Sequence, residues 1–306
     1  MIRRGVALTP METRREVMVR AAQLADDLGY EVFALPEGWG LDSTPVLAEI
    51  ALATRSIRLV SGVLSVWGRT PATLAMTAAT LDQMSGGRYV LGLGASTRAL
   101  AEGFHDVPFA AAADRLAGTV TAVRALLAGE PAPLQHTPGA RPLRLGLPPA
   151  PDVPIWVAAL GPRTLRVAAE LADGWFPAML ARDGLPRLVP RSRRRELTVA
   201  AGPLAVAADD PGVARAIAAA CIAWYVCAMG DVYADSLSRQ GYAAEVAAIR
   251  AANPRPSPRS GHVPAPAEAV LGQLAAIGTA DQVRAQLDRW DGAADVVMVG
   301  LPPGVP

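Results

Sequence analysis

The sequence predicts an α/β fold, a (β/α)8 TIM barrel with loop insertions. Three observations carry that prediction. Strand-like and helix-like patterns alternate along the chain, eight short apolar runs qualify as strands, and 51% hydrophobic composition over 306 residues supplies a large core. An open doubly wound sheet uses the same alternation, and the count of eight favours closure.

In order, Gly5–Leu8 reads as a first strand, followed by an amphipathic helix over Met11–Leu28 that stops at Gly29. Val32–Leu35 is a second strand, and Thr44–Thr54 a helix behind the cap signal Ser43-Thr44-Pro45. Ile57–Leu64 is the third strand, Pro71–Met84 a helix closed by Ser85-Gly86-Gly87, and Tyr89–Leu93 the fourth strand. Phe109–Ala128 is helical, and the proline-rich stretch Pro131–Pro154 is a loop. Strands five to seven are Ile155–Ala159, Gly174–Pro177 and Leu197–Ala207, with a helix over Pro162–Ala172. Helices cover Pro211–Arg250, a second proline-rich break spans Asn253–Pro266, and two short helices precede the eighth strand, Asp295–Val299. One domain over residues 1–306 is expected, with irregular insertions near 131–154, 181–196 and 253–266, because the strand pattern resumes after each break.

Composition excludes several functions. Net charge is +1, so bulk electrostatics give no reason to expect nucleic acid or an anionic membrane. All 29 basic residues are arginine, and without lysine neither a Walker loop nor a lysine Schiff base can form. Cys221 and Cys227 read as two buried thiols in an apolar helix, and three scattered histidines form no HExxH, so no metal site is expected. No signal peptide and no apolar run long enough to span a bilayer are read, which points to the cytoplasm.

In a barrel of this kind, chemistry sits on the loops after the strands. The second-strand loop, Pro36–Asp42, offers Glu37 as a polar group and Trp39 as a wall for a cofactor or substrate, though the same residues suit a surface loop with a packed indole. Gly62 at the third strand's end allows close approach of a ligand to backbone, or simple packing. The fourth strand ends Gly92-Leu93-Gly94-Ala95-Ser96-Thr97, where Thr97 stands at the third glycine of a dinucleotide fingerprint, weakening a Rossmann reading. Ser96, Thr97 and Arg98 remain as donors, followed by Glu102 and by His105, a proton-donor candidate. After the fifth strand, Gly161-Pro162-Arg163-Thr164 opens a helix and suits a phosphate cradle or an ordinary capped start. Arg187–Arg195 holds five arginines, a solvated loop or a site for an anionic group.

These motifs occur in an order that resembles the bacterial luciferase-like family of flavin- and F420-dependent oxidoreductases. The matching text is PEGWGLD (36–42), IRLVSGVLSVWGRTPA (57–72), AATLDQMSGGRYVLGLGAS (78–96), EGFHDVPF (102–109), PIWVAALGPRTLRVAAELADGW (154–175) and residues 277–299, nearly the whole chain. The resemblance implies a TIM-type barrel, usually dimeric. It places a cofactor ring against the third strand's end, with a non-proline cis peptide at Gly62-Val63, and phosphate contacts around Ser96 and over Gly161–Thr164. GLGAS followed by EGFHDVPF looks most like the F420-dependent branch, which implies coenzyme F420, with FMN as the alternative. The chain departs from that branch in three places. Its first strand ends Ala7-Leu8-Thr9 where some relatives carry an acid. Glu37 and Gly38 stand where many relatives have a His or Asn, and Thr97 where a sugar-phosphate dehydrogenase has Glu. Glu37, His105, Tyr225 and bound water are the candidate proton donors. The function expected is hydride transfer between deazaflavin C5 and a small organic substrate or biosynthetic intermediate. An FMN-dependent monooxygenase and a catalytically silent flavin-binding barrel are the alternatives, and a homodimer is expected.

Overall fold

The computed structural model describes residues 3–134, 137, 139–188, 197–257 and 260–303. Its strands are β1 (Arg3–Leu8), β2 (Val32–Leu35), β3 (Arg58–Ser61), β4 (Leu64–Ser65), β5 (Tyr89–Gly94), β6 (Ile155–Ala158), β7 (Gly174–Trp175), β8 (Thr198–Ala201), β9 (Leu204–Ala207), β10 (Ala275–Gly278) and β11 (Val296–Leu301). Eight of them close a parallel ring in the order β1-β2-β3-β5-β6-β7-β8-β11. β11 returns to β1 in register from Arg3↔Val296 to Leu8↔Leu301, which excludes the open sheet.

Side chains alternate across each strand and so build two layers. Val32, Ala34, Val60, Val90, Trp156, Ala200, Val296 and Met298 fill the barrel interior. Phe33, Leu35, Leu59, Leu91, Leu93, Ile155 and Val157 face the surrounding helices. Trp156 needs room, and the neighbouring strand supplies it at Gly174, where a Cβ would lie 2.4 Å from the indole.

Three expectations are corrected. The third strand does not run through Leu64: it stops at Ser61, and β4 resumes beyond Gly62-Val63 on β5. The single strand expected over Leu197–Ala207 is two, broken at Gly202-Pro203. A Cβ at Gly202 would strike the Met298 carbonyl oxygen at 2.0 Å, and proline cannot donate to the ladder. β9 therefore leaves the ring and pairs with β10, a strand read from the sequence as helix. The third correction concerns apolar length. Helix Pro211–Ala228 is long and apolar enough to cross a membrane, where no such run was expected. Here it is a core helix: Ala218, Ile222 and Val226 pack with Val206 of β9 and Leu271 of helix Glu268–Leu274 in a second hydrophobic cluster. Cys221 is buried in it, Cys227 is only half-buried, and both thiols are free.

The Ser85–Arg88 turn clamps the barrel's lower face. Gly86 and Gly87 take positive φ (67° and 83°), letting the Gly87 N–H close on the Asp82 carbonyl at 2.9 Å. Arg88 then donates to the carbonyls of Ala51 (2.8 Å), Thr54 (3.2 Å), Ile57 (2.8 Å) and Ser85 (2.7 Å), satisfying carbonyls at the end of helix Ser43–Ala53.

Asp26, at the end of helix Arg15–Asp27, fixes the start of β3. Burial alone would raise its pKa, but hydrogen bonds from the Ser56 hydroxyl (2.6 Å) and the backbone N–H groups of Arg55 (2.7 Å), Ser56 (3.0 Å) and Ile57 (2.8 Å) hold it well below the usual carboxylate range. A carboxylate harder to protonate folded than unfolded stabilises the fold fully above the unfolded pKa of about 4 and loses that contribution as pH falls towards the folded value. Asp26→Asn is expected to cost roughly 2–4 kcal/mol at pH 7. Urea denaturation of both proteins should show that gap narrowing below about pH 4.

Candidate active site

A cavity of about 250 Å³ opens at the C-terminal ends of the ring strands. Every ring strand or its following turn contributes: Leu8 and Thr9 after β1, Glu37 and Gly38 after β2, Gly62 and Val63 after β3, Gly94–Thr97 from β5, Ala158–Leu160 from β6, Phe176–Leu180 after β7, Gly202 after β8, and Met298 and Gly300 on β11. The excursion between β8 and β11 completes the wall with Tyr225, Met229, Val232, Tyr233 and Leu274.

The Gly62-Val63 peptide is cis, as the resemblance implies. Ser61 below it is fully buried; its hydroxyl donates to the Gly92 carbonyl (3.1 Å) and accepts from the Gly92 N–H (2.8 Å) and the Tyr89 hydroxyl (3.0 Å). That network welds β3 to β5 under the cavity floor. Above it, Trp67 donates its indole N–H to the Ala95 carbonyl at 2.6 Å, fixing the turn that carries Ser96, whose φ is 54°.

Of the candidates for cofactor contact, Gly62, Val63, Gly94, Ser96, Thr97 and Thr164 come together on the cavity wall. Trp39, Arg98, Gly161, Pro162 and Arg163 lie off it. Trp39 is 47% exposed at the tip of its loop. Arg98 pairs with Glu102 and lies 5.4 Å from the Phe109 ring. Arg163 sets one nitrogen on both oxygens of Asp114, at 3.0 and 2.9 Å, on the exposed side of its helix. Of Arg187–Arg195, only Arg187 and Leu188 lie within the described residues, and Arg187 is exposed.

The three proton-donor candidates also differ. Glu37 reaches the cavity, but both its oxygens accept from Arg69, one at 2.8 Å, and Arg69 also reaches Asp42 at 2.8 Å. With side chains 11% and 14% exposed, the Glu37–Arg69 pair is a brace between two loops. His105 lines the cavity with no side-chain hydrogen bond among the described residues. Its imidazole packs over Gly68, where a Cβ would meet the ring at 2.7 Å. Tyr225 stands edge-to-face with Tyr233 at 5.0 Å, and burial, the neighbouring Tyr233 and Cys221 raise its pKa well above the ordinary value, so the phenol stays neutral.

Two residues of the site were not singled out by sequence reasoning. Arg69, the partner of Glu37, lies 32 residues away and only the fold joins them. Thr9 follows β1 directly; the sequence marked this strand end only as lacking the acid some relatives carry, and its place at the C-terminal end of a barrel strand was the available signal. Its hydroxyl is the buried side-chain polar atom left without a partner among the described residues.

A closed parallel barrel with an apolar cavity at its strand C-termini, floored by a glycine-bearing strand break and rimmed by hydroxyls, defines a TIM barrel with its candidate site at that end. The chain belongs to the luciferase-like monooxygenase family, whose sequence pattern matches residues 1–295. A Mycobacterium tuberculosis protein named as a putative coenzyme F420-dependent oxidoreductase is 30% identical over 308 residues, covering 90% of this chain and 87% of its own. A 5,10-methylenetetrahydromethanopterin reductase of Archaeoglobus fulgidus is 31% identical over 157 residues, 50% of this chain and 46% of its own. Among solved structures, the F420-dependent tetrahydromethanopterin reductase of Methanopyrus kandleri superposes with a TM-score of 0.74 at 22% identity, covering 98% of this chain and 93% of its own. The relatives are oxidoreductases and monooxygenases, and the chain is an enzyme.

Proposed function

We propose that the protein is an F420-dependent oxidoreductase that moves a hydride between deazaflavin C5 and a small organic substrate. The observation that carries the reading is the wall formed by Gly62, Val63, Gly94 and Ala158, a surface of bare backbone and small side chains where a flat ring can lie. The mycobacterial relative, similar over nearly its whole length, tilts the ring from flavin to deazaflavin. The residues fit such a group: Ser96, Thr97 and Thr164 offer hydroxyls at the rim for its polar tail. Bound there, F420 supplies the carbon that carries the hydride. The chain's own residues orient the ring, exclude water through the apolar excursion, and move the accompanying proton, a role we give to His105.

A catalytically silent barrel predicts an occluded cavity, and this one is open. We further propose a cytoplasmic enzyme of one barrel domain, paired as a homodimer through the exposed Leu28 just past helix Arg15–Asp27 and Leu52 and Met76 on the next two helices. Titrating the apoprotein with F420 and with FMN tests the reading. F420 should bind with a Kd near or below about 10 μM, some 7 kcal/mol of affinity. Tight FMN binding with no F420 affinity would overturn it in favour of the monooxygenase alternative.

A further inference from the structure

Trp67 lies off the cavity wall and is buried, yet it is joined to three parts of the chain that build the mouth. Its indole N–H donates to the Ala95 carbonyl at 2.6 Å, and both Ala95 and Ser96 line the cavity. Its ring packs at 5.2 Å on Phe109, whose loop also carries His105. Its backbone N–H donates to Ser65 Oγ at 3.2 Å, and Ser65 lines the cavity too. Arg115, on helix Ala112–Leu127, holds the indole in turn. Its guanidinium lies 4.5 Å from the ring centroid, and its Nε donates to the Val66 carbonyl at 2.9 Å.

Ser96 is the part of the wall that needs such holding. Its φ of 54° lies in the left-handed region, which serine seldom adopts. Conformations of this kind persist where the surroundings impose them, and they gather at ligand clamps. The Ala95-Ser96 peptide is trans, so its carbonyl and its N–H point in opposite directions. With the carbonyl on Trp67, the Ser96 N–H is turned away from the indole. Neither that N–H nor the Ser96 hydroxyl has a hydrogen-bond partner among the described residues. Two donors on one half-buried residue suit an oxygen-rich anionic group. Among the described residues Trp67 makes no hydrogen bond to Gly62, Val63, Gly94 or Ala158, the wall on which the ring would lie.

We infer that Trp67 is a positioning residue for the phosphate-bearing arm of the cofactor, acting through the Ala95 carbonyl on Ser96. The inference rests on the F420 reading for the identity of the arm, and on the indole contact for the residue. Trp67 touches no ligand itself. It selects the backbone conformation in which Ser96 meets one, so its loss should be felt by the arm and not by the ring.

The test is fluorescence titration of two ligand pairs, each differing at the phosphate. One pair is F420 and the deazaflavin that stops short of the phosphate; the other is FMN and riboflavin. The parent should bind F420 at least about tenfold more tightly than its phosphate-free form. Trp67→Phe keeps an aromatic ring and removes the N–H. It should weaken F420 about tenfold and the phosphate-free form less than about twofold, so that the ratio between them collapses. A purely structural tryptophan would lower the Tm and weaken both members alike, or neither. Should Trp67→Phe fail to fold, Arg115→Met carries the same test, since it leaves the indole in place and removes what holds it. It should weaken F420 about threefold, again without the phosphate-free form following. A ratio unchanged from the parent overturns the proposal, and so does a parent that prefers the phosphate-bearing member of neither pair. If FMN binds and F420 does not, the F420 reading fails alone, and the ratio of FMN to riboflavin decides the role of Trp67.

Discussion

Gly92→Ala is expected to abolish the fold's stability, costing about 4 kcal/mol or more, at the upper end of what single substitutions do. A Cβ on Gly92 would lie 1.8 Å from the Ser61 carbonyl oxygen and 3.0 Å from its carbon. Those are backbone atoms of β3, held by the Ser61 hydroxyl on Gly92 itself, so neither strand can retreat without breaking the network. Gly118, on helix Ala112–Leu127, has open space where a methyl would stand, with nothing within 4 Å, and serves as the control. Gly118→Ala should be neutral or stabilise by about 0.5–1 kcal/mol through the unfolded state. Guanidinium denaturation of the two variants beside the parent decides it, and a Gly92→Ala protein of near-parental stability would refute the account. Gly94→Ala sits between them. Its methyl would meet Val63 Cγ2 at 2.6 Å and shift the cavity wall, so it should fold while losing cofactor affinity.

Most of the barrel was legible because strands buried on both faces read as unbroken apolar runs, as VFAL, YVLGLG and VVMVGL do. The same rule hid the exit of β9, since Leu197–Ala207 is apolar throughout and only Gly202-Pro203 marks the break. β10 was missed because Ala-Ala-Ile-Gly is short and alanine-rich, and pairing with β9 rather than propensity makes it a strand. At the site, strand-end positions were readable one at a time, which found Gly62, Ser96 and His105. Partnership was not readable. Arg163 looked available until Asp114 was brought against it, Glu37 until Arg69 was, and Trp39 looked like a wall although its loop is tied down at Glu37 and carries the indole outwards.

His105 and Glu37 both line the cavity, and of the two Glu37 is the one held by an ion pair. The Glu37 carboxylate is occupied by Arg69 and by the Ser43 N–H at 3.3 Å, so protonating it would break the brace between two loops. An imidazole can both give and take a proton, and that of His105 has no competing side-chain hydrogen bond among the described residues. His105→Gln is therefore expected to slow oxidation of reduced F420 by an acceptor substrate about 10²–10³-fold at saturation, with cofactor affinity kept. Glu37→Gln should instead lose about 1–3 kcal/mol of stability, because Arg69 keeps only the exposed Asp42 as a charged partner. The two substitutions thus separate along different axes, one in rate and one in denaturation. A His105→Gln enzyme within about threefold of the parental rate would remove His105 from the chemistry. A Glu37→Gln enzyme of parental stability but without turnover would put the proton on Glu37.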